Sequence, residues 1–211
     1  MPAKYVSNKD ETIPLFENPW LERLTHIHPA TPAVVFLPIV AWFLWLGAGR
    51  GISWLASIGL VLVGLFIWTL AEYSLHRWVF HYQPKSAIGQ KLHFLMHGIH
   101  HDYPQDHTRL VMPPPVSLPL AALFWLAFSA IFGASYEPIF AGFLIGYVIY
   151  DTTHYATHHW KMDSRVGRFL REYHLRHHYR DDDLGYGVSS PLWDYVFGTV
   201  SRRVRADRQA A

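Results

Sequence analysis

The chain has 211 residues, 51% of them hydrophobic and 16% charged, with no Cys and a net charge of +2. The missing thiol excludes disulfides, thiolate zinc sites, Cys-ligated iron–sulfur clusters and a Cys nucleophile. So mild a charge gives no argument for a nucleic-acid partner. Apolar and charged residues are segregated along the chain, and fifteen His stand against five Lys, so one domain spanning 1–211 divides into a membrane part and a histidine-rich part.

Residues 1–32 contain no apolar core ahead of a small-residue cleavage site, so no removable signal peptide is expected. Within them Asn18-Pro-Trp-Leu-Glu-Arg-Leu-Thr reads either as an interfacial amphipathic helix, with Trp20, Leu21 and Leu24 toward lipid, or as a plain tether. Charge-free stretches follow over 33–49, 51–71, 110–136 and 138–150. A helix rising about 1.5 Å per residue needs roughly 20 apolar residues to cross about 30 Å of hydrocarbon. The second and third stretches suffice alone. The first and fourth are shorter, each parted from its partner by one charged residue, Arg50 or Glu137, among turn-forming Gly and Pro. The expected fold is therefore an all-α integral membrane protein with four transmembrane helices in two hairpins, 33–71 and 110–150. A water-soluble bundle is disfavoured because Trp, Phe and Leu occupy every side of these stretches.

With four crossings, 1–32, 72–109 and 151–211 share one side, and they hold 17 of the 18 Lys and Arg, Arg50 being the exception. The excess of positive charge makes that side cytoplasmic, together with both termini. All fifteen His lie there too. Segments 72–109 and 151–211 thus form a cytoplasmic helical cap, which ends in an Arg-rich tail from Ser201, expected to be disordered against the membrane surface.

The histidines fall into four clusters, two of them starting just beyond a hairpin: His76 and His81; His97, His100 and His101; His154, His158 and His159; His174, His177 and His178. At about 100° per residue, positions i, i+3 and i+4 share one sector, so each His-x-x-His-His cluster converges, as do His154 and His158. His159 points about 100° away from His158. His76 and His81 diverge by about 140° on a straight helix, so they flank a site or the helix bends between them. His93, four residues before His97, is a further candidate on geometry, whereas His26, His28 and His107 read as ordinary polar residues. Eight to ten imidazoles gathered at a membrane would repel when protonated and leave polar atoms unsatisfied when neutral and buried. Metal coordination removes both costs. Ten nitrogens exceed any mononuclear site, and two metals with about five each fit the count. Imidazole suits iron, zinc, copper and nickel alike. No Glu has a His three residues on, so the Glu-x-x-His pattern of carboxylate-bridged bundles is not met. Asp151, three before His154, is a possible ligand or, with His159, Asp102, Asp106 and Asp194, a group that orients a ligand imidazole.

Three strings carry a resemblance: His97-Gly-Ile-His-His-Asp-Tyr-Pro-Gln-Asp-His-Thr-Arg-Leu-Val-Met-Pro-Pro114, Tyr173-His-Leu-Arg-His-His-Tyr179, and Leu184-Gly-Tyr-Gly-Val-Ser-Ser-Pro-Leu-Trp-Asp-Tyr-Val-Phe-Gly-Thr199. Over about residues 60 to 200 the sequence resembles the membrane fatty acid hydroxylase and sterol desaturase superfamily, and within it the sphingolipid fatty acid 2-hydroxylases. The resemblance implies a di-iron oxygenase, with zinc able to occupy the sites in purified protein. Such an enzyme uses O2 and two electrons to place a hydroxyl at C2 of an acyl chain of a membrane lipid. It also implies the ligand set His76, His81, His97, His100, His101, His154, His158, His174, His177 and His178, and leaves His93 and His159 outside. The eukaryotic members carry an N-terminal cytochrome b5 domain. About 32 residues precede the first span here, so electrons are expected from a separate ferredoxin or cytochrome b5-like protein with its reductase. The basic cap then serves as a docking face or as a contact for anionic lipid. The expected location is a bacterial inner membrane or the ER membrane.

Within the same superfamily a sterol, carotenoid or sphingoid base would be the alternative substrate. A His-rich metal transporter is disfavoured because no His, Asp or Glu lies inside a charge-free stretch. Gly185 and Gly187 are expected to permit a tight turn, and Tyr186, Trp193 and Phe197 to pack within the cap.

Overall fold

The computed structural model describes residues 5–201, among which there is no β-strand; the Arg-rich tail beyond Ser201 lies outside the described residues. Local sequence accounts for most helix starts. Asn18 accepts hydrogen bonds from Trp20 and Leu21 to begin α1 (Pro19–Arg23), with Pro19 in the first position, where no amide proton is needed. Helix α2 (Thr31–Gly49) opens on Pro32 and carries Pro38 within. Ser53, Ser86 and Ser164 cap α3 (Trp54–Leu75), α4 (Ala87–His93) and α8 (Arg165–Tyr179) through their hydroxyls. Helix α3 runs on as a π-helical turn, His76–Phe80, and α4 as another, Phe94–Gly98, which leads into α5 (Ile99–Asp102). Helices α6 (Pro114–Phe132) and α7 (Tyr136–His159) are joined by a 3-10 turn, Gly133–Ser135. The last helix, α9 (Leu192–Phe197), stops at Gly198, whose φ of 72° suits a residue without Cβ.

Among the described residues, three stretches are long and apolar enough to cross a membrane: Thr31–Gly49, Trp54–Phe80 and Pro114–His159. The third is broken into α6 and α7 by the turn at Gly133, whose φ is 54°. Arg50 and Glu137, each expected only to mark a turn, meet: Arg50 Nε lies 2.7 Å from Oε1 of the fully buried Glu137. The turn after α2 is thereby tied to the turn before α7. A lone carboxylate there would be costly, and the guanidinium partner offsets that cost.

Helix α7 is the central element. It packs against α2, α3, α6 and α8, and it is buried on nearly every side. Its contact with α3 is close because glycines face main chain there. A Cβ on Gly64 would lie 1.9 Å from the Ile139 carbonyl oxygen, and one on Gly142 would lie 2.1 Å from that of Val61. Small residues at a helix crossing let two backbones approach in this way. Around the crossing, Phe36, Trp68, Phe143 and Tyr147 interlock edge to face, with centroids 4.9 to 5.5 Å apart. The outward sides of α2, α3 and α6 expose Leu37, Trp45, Leu62, Phe66, Leu126 and Ile131, a surface that suits hydrocarbon.

The N-terminal segment forms the short helix α1 within a strap tied to the histidine-rich segment. Helix α1 exposes Trp20, Leu21 and Leu24. The chain around it is bound to the histidine-rich segment: Val6 and Ser7 amides donate to the Asp102 carbonyl, and Ile27 donates to that of Thr108. Buried Arg109 donates to the Ile13 carbonyl, to Thr25 Oγ1 and to Glu22 Oε1 at 2.6 Å. His26 bridges Thr108 and Glu22, and His107 meets Asp10, so both histidines have ordinary polar partners.

Candidate metal centre

The spacing of His76 and His81 is resolved by the backbone. The amide of His81 donates to the carbonyl of His76, five residues back, and this wider π turn carries both rings to one side, with centroids 5.0 Å apart. Such a bulge is a recurrent device at functional sites. A straight α-helix would have separated them by about 140°.

The two His-x-x-His-His clusters behave differently from the expectation that each converges on one point. His97 and His101 join His76, His81 and His177; His100 joins His154, His158, His174 and His178. Each triplet is therefore divided, its i and i+4 rings going to one group and its i+3 ring to the other. The reason is angular. Positions i+3 and i+4 lie about 100° apart around the axis, wide enough to face two neighbouring centres from one helix. Helix α8 gives its pair to the second group and His177 to the first, and the chain around α5 does the reverse. The structure thus brings ten imidazoles into two groups of five, with the candidate ligand atoms of each group within 4.8 Å of one another.

Within the first group, Nε2 of His177 lies 3.0 Å from that of His81, His81 3.2 Å from His97, and His97 2.9 Å from His101. In the second, the separations are 2.8 Å for His154 and His100, and 3.0 Å for both His158 and His178 from His174. Nitrogens bound at about 2.1 Å and 90° apart on one ion would be about 3.0 Å apart. In the first group two tautomers fit as well. His76 Nδ1 donates to the Tyr186 carbonyl at 2.6 Å, and His177 Nδ1 donates to that of Leu184 at 2.8 Å. With Nδ1 protonated, Nε2 carries the lone pair, and Nε2 of His76 is buried without a hydrogen-bond partner among the described residues. The residues present fit a cation in each group.

Electrostatics point the same way. Burial first, and neighbouring imidazoles second, hold His97, His100, His101, His174 and His178 well below the ordinary pKa. His81 is pushed down to about 2 by the same causes. The rings are thus neutral at ordinary pH, which is the form that binds metal.

Other sequence candidates lie elsewhere. His93 and His159 belong to neither group, and the ring of His159 packs against Tyr155. Asp151 is buried at the edge of the second group beside His154. Asp102 offers its main-chain carbonyl to the N-terminal strap, and Asp106 accepts from Thr108. Asp194 accepts from the amides of Tyr186 and Gly187 and from Thr199 Oγ1. It therefore holds the turn whose carbonyl binds His76. Sequence reasoning missed Glu72, which accepts from the Val188 and Ser189 amides at 2.7 and 2.8 Å, from Ser189 Oγ and from Trp68 Nε1. Its signal was present: an acid just past a charge-free stretch, one helical turn before His76.

A cavity of about 330 Å³ opens beside the groups, within the range usual for small-molecule sites. His97, His100 and His154 line one part of it, Leu92, Leu95, Met96 and Met112 another, and the strap closes it with Phe16, Leu21 and Leu24. Its wall is mainly apolar.

Fold and site together define a helical protein with long apolar helices and two groups of five histidines poised to hold metal. The chain belongs to the fatty acid hydroxylase family, whose model matches residues 61–199. It is 45% identical over 168 residues to a dihydroceramide fatty acyl 2-hydroxylase of Arabidopsis thaliana, covering 79% of this chain and 71% of that one. It is 43% identical to a ceramide very long chain fatty acid hydroxylase of Saccharomyces cerevisiae, over 88% of this chain and 49% of the relative. With the Homo sapiens fatty acid 2-hydroxylase it shares 41% identity over 68% of this chain and 40% of the relative. A solved structure described as full-length scs7p with only the hydroxylase domain visible superposes with a TM-score of 0.83 at 42% identity, covering 88% of this chain and 71% of that one.

Proposed function

We propose that this protein is an O2-dependent di-iron hydroxylase that inserts a hydroxyl group at C2 of the acyl chain of a sphingolipid-type membrane lipid. The observation that carries the reading is the junction of two five-histidine groups with an apolar cavity that reaches His97 of one group and His100 and His154 of the other. An aliphatic C–H bond offers no acidic proton to a general base, and bound iron would supply the oxygen chemistry that such a bond requires. The remaining work belongs to the chain itself. The imidazoles hold the metals, the cavity wall orients the acyl chain, and the strap from Leu15 to Thr25 keeps water from that space. The relatives' names, dihydroceramide and ceramide acyl hydroxylases, support the same substrate class.

In this reading α2, α3, α6 and α7 are four membrane crossings, and the histidine-rich segments form a cap that faces the cytoplasm of a bacterial inner membrane or of the ER. Electrons arrive from a ferredoxin or cytochrome b5-like protein. A shallow groove of about 720 Å³ suits its docking: Lys161, Arg168, Arg171, Arg176 and Arg180 outnumber Asp163 and Glu172 there, and charge of one sign steers an acidic partner. The groove lies along α8, the helix that carries His174, His177 and His178.

The test is lipid mass spectrometry of cells with and without the protein. A gain of one oxygen at C2 of an acyl chain supports the reading. Its appearance on a sterol ring or a sphingoid base would overturn the substrate assignment.

A further inference from the structure

We propose that Glu72 and Asp194 are positioning residues for the first histidine group alone. They brace the loop at 184–189, whose carbonyls orient His76 and His177, and so set how tightly that group holds its metal. The inference rests on the two-metal reading above.

The loop contributes none of the ten histidines, yet it makes two short contacts to the first group. The Tyr186 carbonyl accepts from His76 Nδ1 at 2.6 Å, and that of Leu184 accepts from His177 Nδ1 at 2.8 Å. Such contacts fix the tautomer and the direction of the Nε2 lone pair. The loop is itself held from both sides. Glu72 takes the Val188 and Ser189 amides and the Ser189 hydroxyl, and its Oε2 also accepts from Trp68 Nε1. Asp194 takes the Tyr186 and Gly187 amides at 2.9 and 2.8 Å. The carboxylates are 3% and 0% exposed, and neither forms an ion pair among the described residues. Two buried acids with no cationic side chain are expensive to keep. A divalent ion in the adjacent group would offset part of that cost, Asp194 reaching it through the Tyr186–Gly187 peptide and the His76 ring. The second group draws its rings from α5, α7 and α8, and its Nε2 contacts run between its own members.

Either substitution to the amide disturbs the brace whichever way the side chain turns. In Glu72→Gln the new NH2 faces either the Val188 and Ser189 amides or the Trp68 indole N–H. In Asp194→Asn it faces the amide of Tyr186 or that of Gly187. Donor then meets donor, and the loop must shift.

The experiment uses the full chain in detergent, stripped of metal and titrated with Zn2+ against a competing chelator dye. Wild-type protein is expected to bind two ions. Glu72→Gln and Asp194→Asn should weaken one of them by about 10–100-fold, the usual effect of losing a partner that orients a ligand, and leave the other at wild-type affinity. Adding His158→Ala to either variant should leave no ion at wild-type affinity. Two ions at wild-type affinity in both variants, or equal weakening of the two ions, would overturn the proposal, the latter marking a general loss of structure. Wild-type protein that binds fewer than two ions would instead refute the two-metal reading itself. If Glu72→Gln does not fold, as judged by circular dichroism of the metal-free protein, Ser189→Ala removes one contact and should show a smaller shift in the same ion.

Discussion

Replacing Gly142 by Ala should cost stability and metal together, because the glycine sets the distance between α3 and α7. The added Cβ would lie 2.1 Å from the Val61 carbonyl oxygen and 2.8 Å from the Val61 Cα. Main chain cannot swing aside as a side chain does, so the helices must separate by close to 1 Å to restore van der Waals contact at about 3 Å. Overpacking of this kind costs about 1–3 kcal/mol, or roughly 2–12 °C in Tm for a chain of this size. The same displacement reaches the site, since α3 leads into His76 and α7 carries His154 and His158. Gly59 is the matched control: it lies on α3, and a Cβ there meets nothing within 4 Å. Ala is the better helix former, so Gly59→Ala should be neutral or slightly stabilising. The chain has no Cys for a thiol dye, so intrinsic Trp fluorescence during heating is the assay, with metal content measured on the same samples. Equal melting of the two variants would refute the argument that a glycine contact sets the helix spacing.

Three further outcomes are expected. His177→Ala should cost the first group its ion and His154→Ala the second, each abolishing product, whereas His93→Ala and His159→Ala should retain two ions; metal analysis with lipid mass spectrometry reads both. Acid should destabilise the metal-free protein. Burial and neighbouring imidazoles hold the folded pKa values of His97, His100, His101, His174 and His178 well below that of a free histidine, so the unfolded state binds more protons as pH falls. Stability is then full above about pH 6.5 and declines below it, by up to about 1.4 kcal/mol per pH unit for each such His, and a denaturation midpoint that rises on acidification would contradict this. Reversing Lys161 and Arg180 to Glu should raise KM for an acidic ferredoxin about tenfold and flatten its salt dependence, with little change in kcat at saturating donor; unchanged KM would remove the groove on α8 as the docking face.

The sequence alone was enough for everything that depends on local pattern. Apolar runs uninterrupted by charge predict long helices, and the expected boundaries fall within a few residues of α2, α3 and α6 because burial in hydrocarbon or in a core demands the same residues; α7 runs on to His159, well past the expected end at residue 150, because its polar last turns are buried too. The histidine clusters were recognisable from their spacing, whereas the set of ten, with His93 left out, came from the resemblance and not from geometry. Tertiary structure decided which imidazole serves which group. A His-x-x-His-His string specifies two directions about 100° apart, and only the packing of α5 and α8 against α7 fixes where each direction leads. It also decided the π turn that reconciles His76 with His81, since a helix inserts such a bulge only where packing repays the distorted ladder. Glu72 was visible as a residue but not as a brace: its partners Val188 and Ser189 lie more than a hundred positions away. Arg50 and Glu137 were taken for turn markers for the same reason, and are joined only when two distant turns meet. Local preference acts over a few residues, whereas hydrogen bonds and ion pairs between distant segments exist only after the chain has folded around α7.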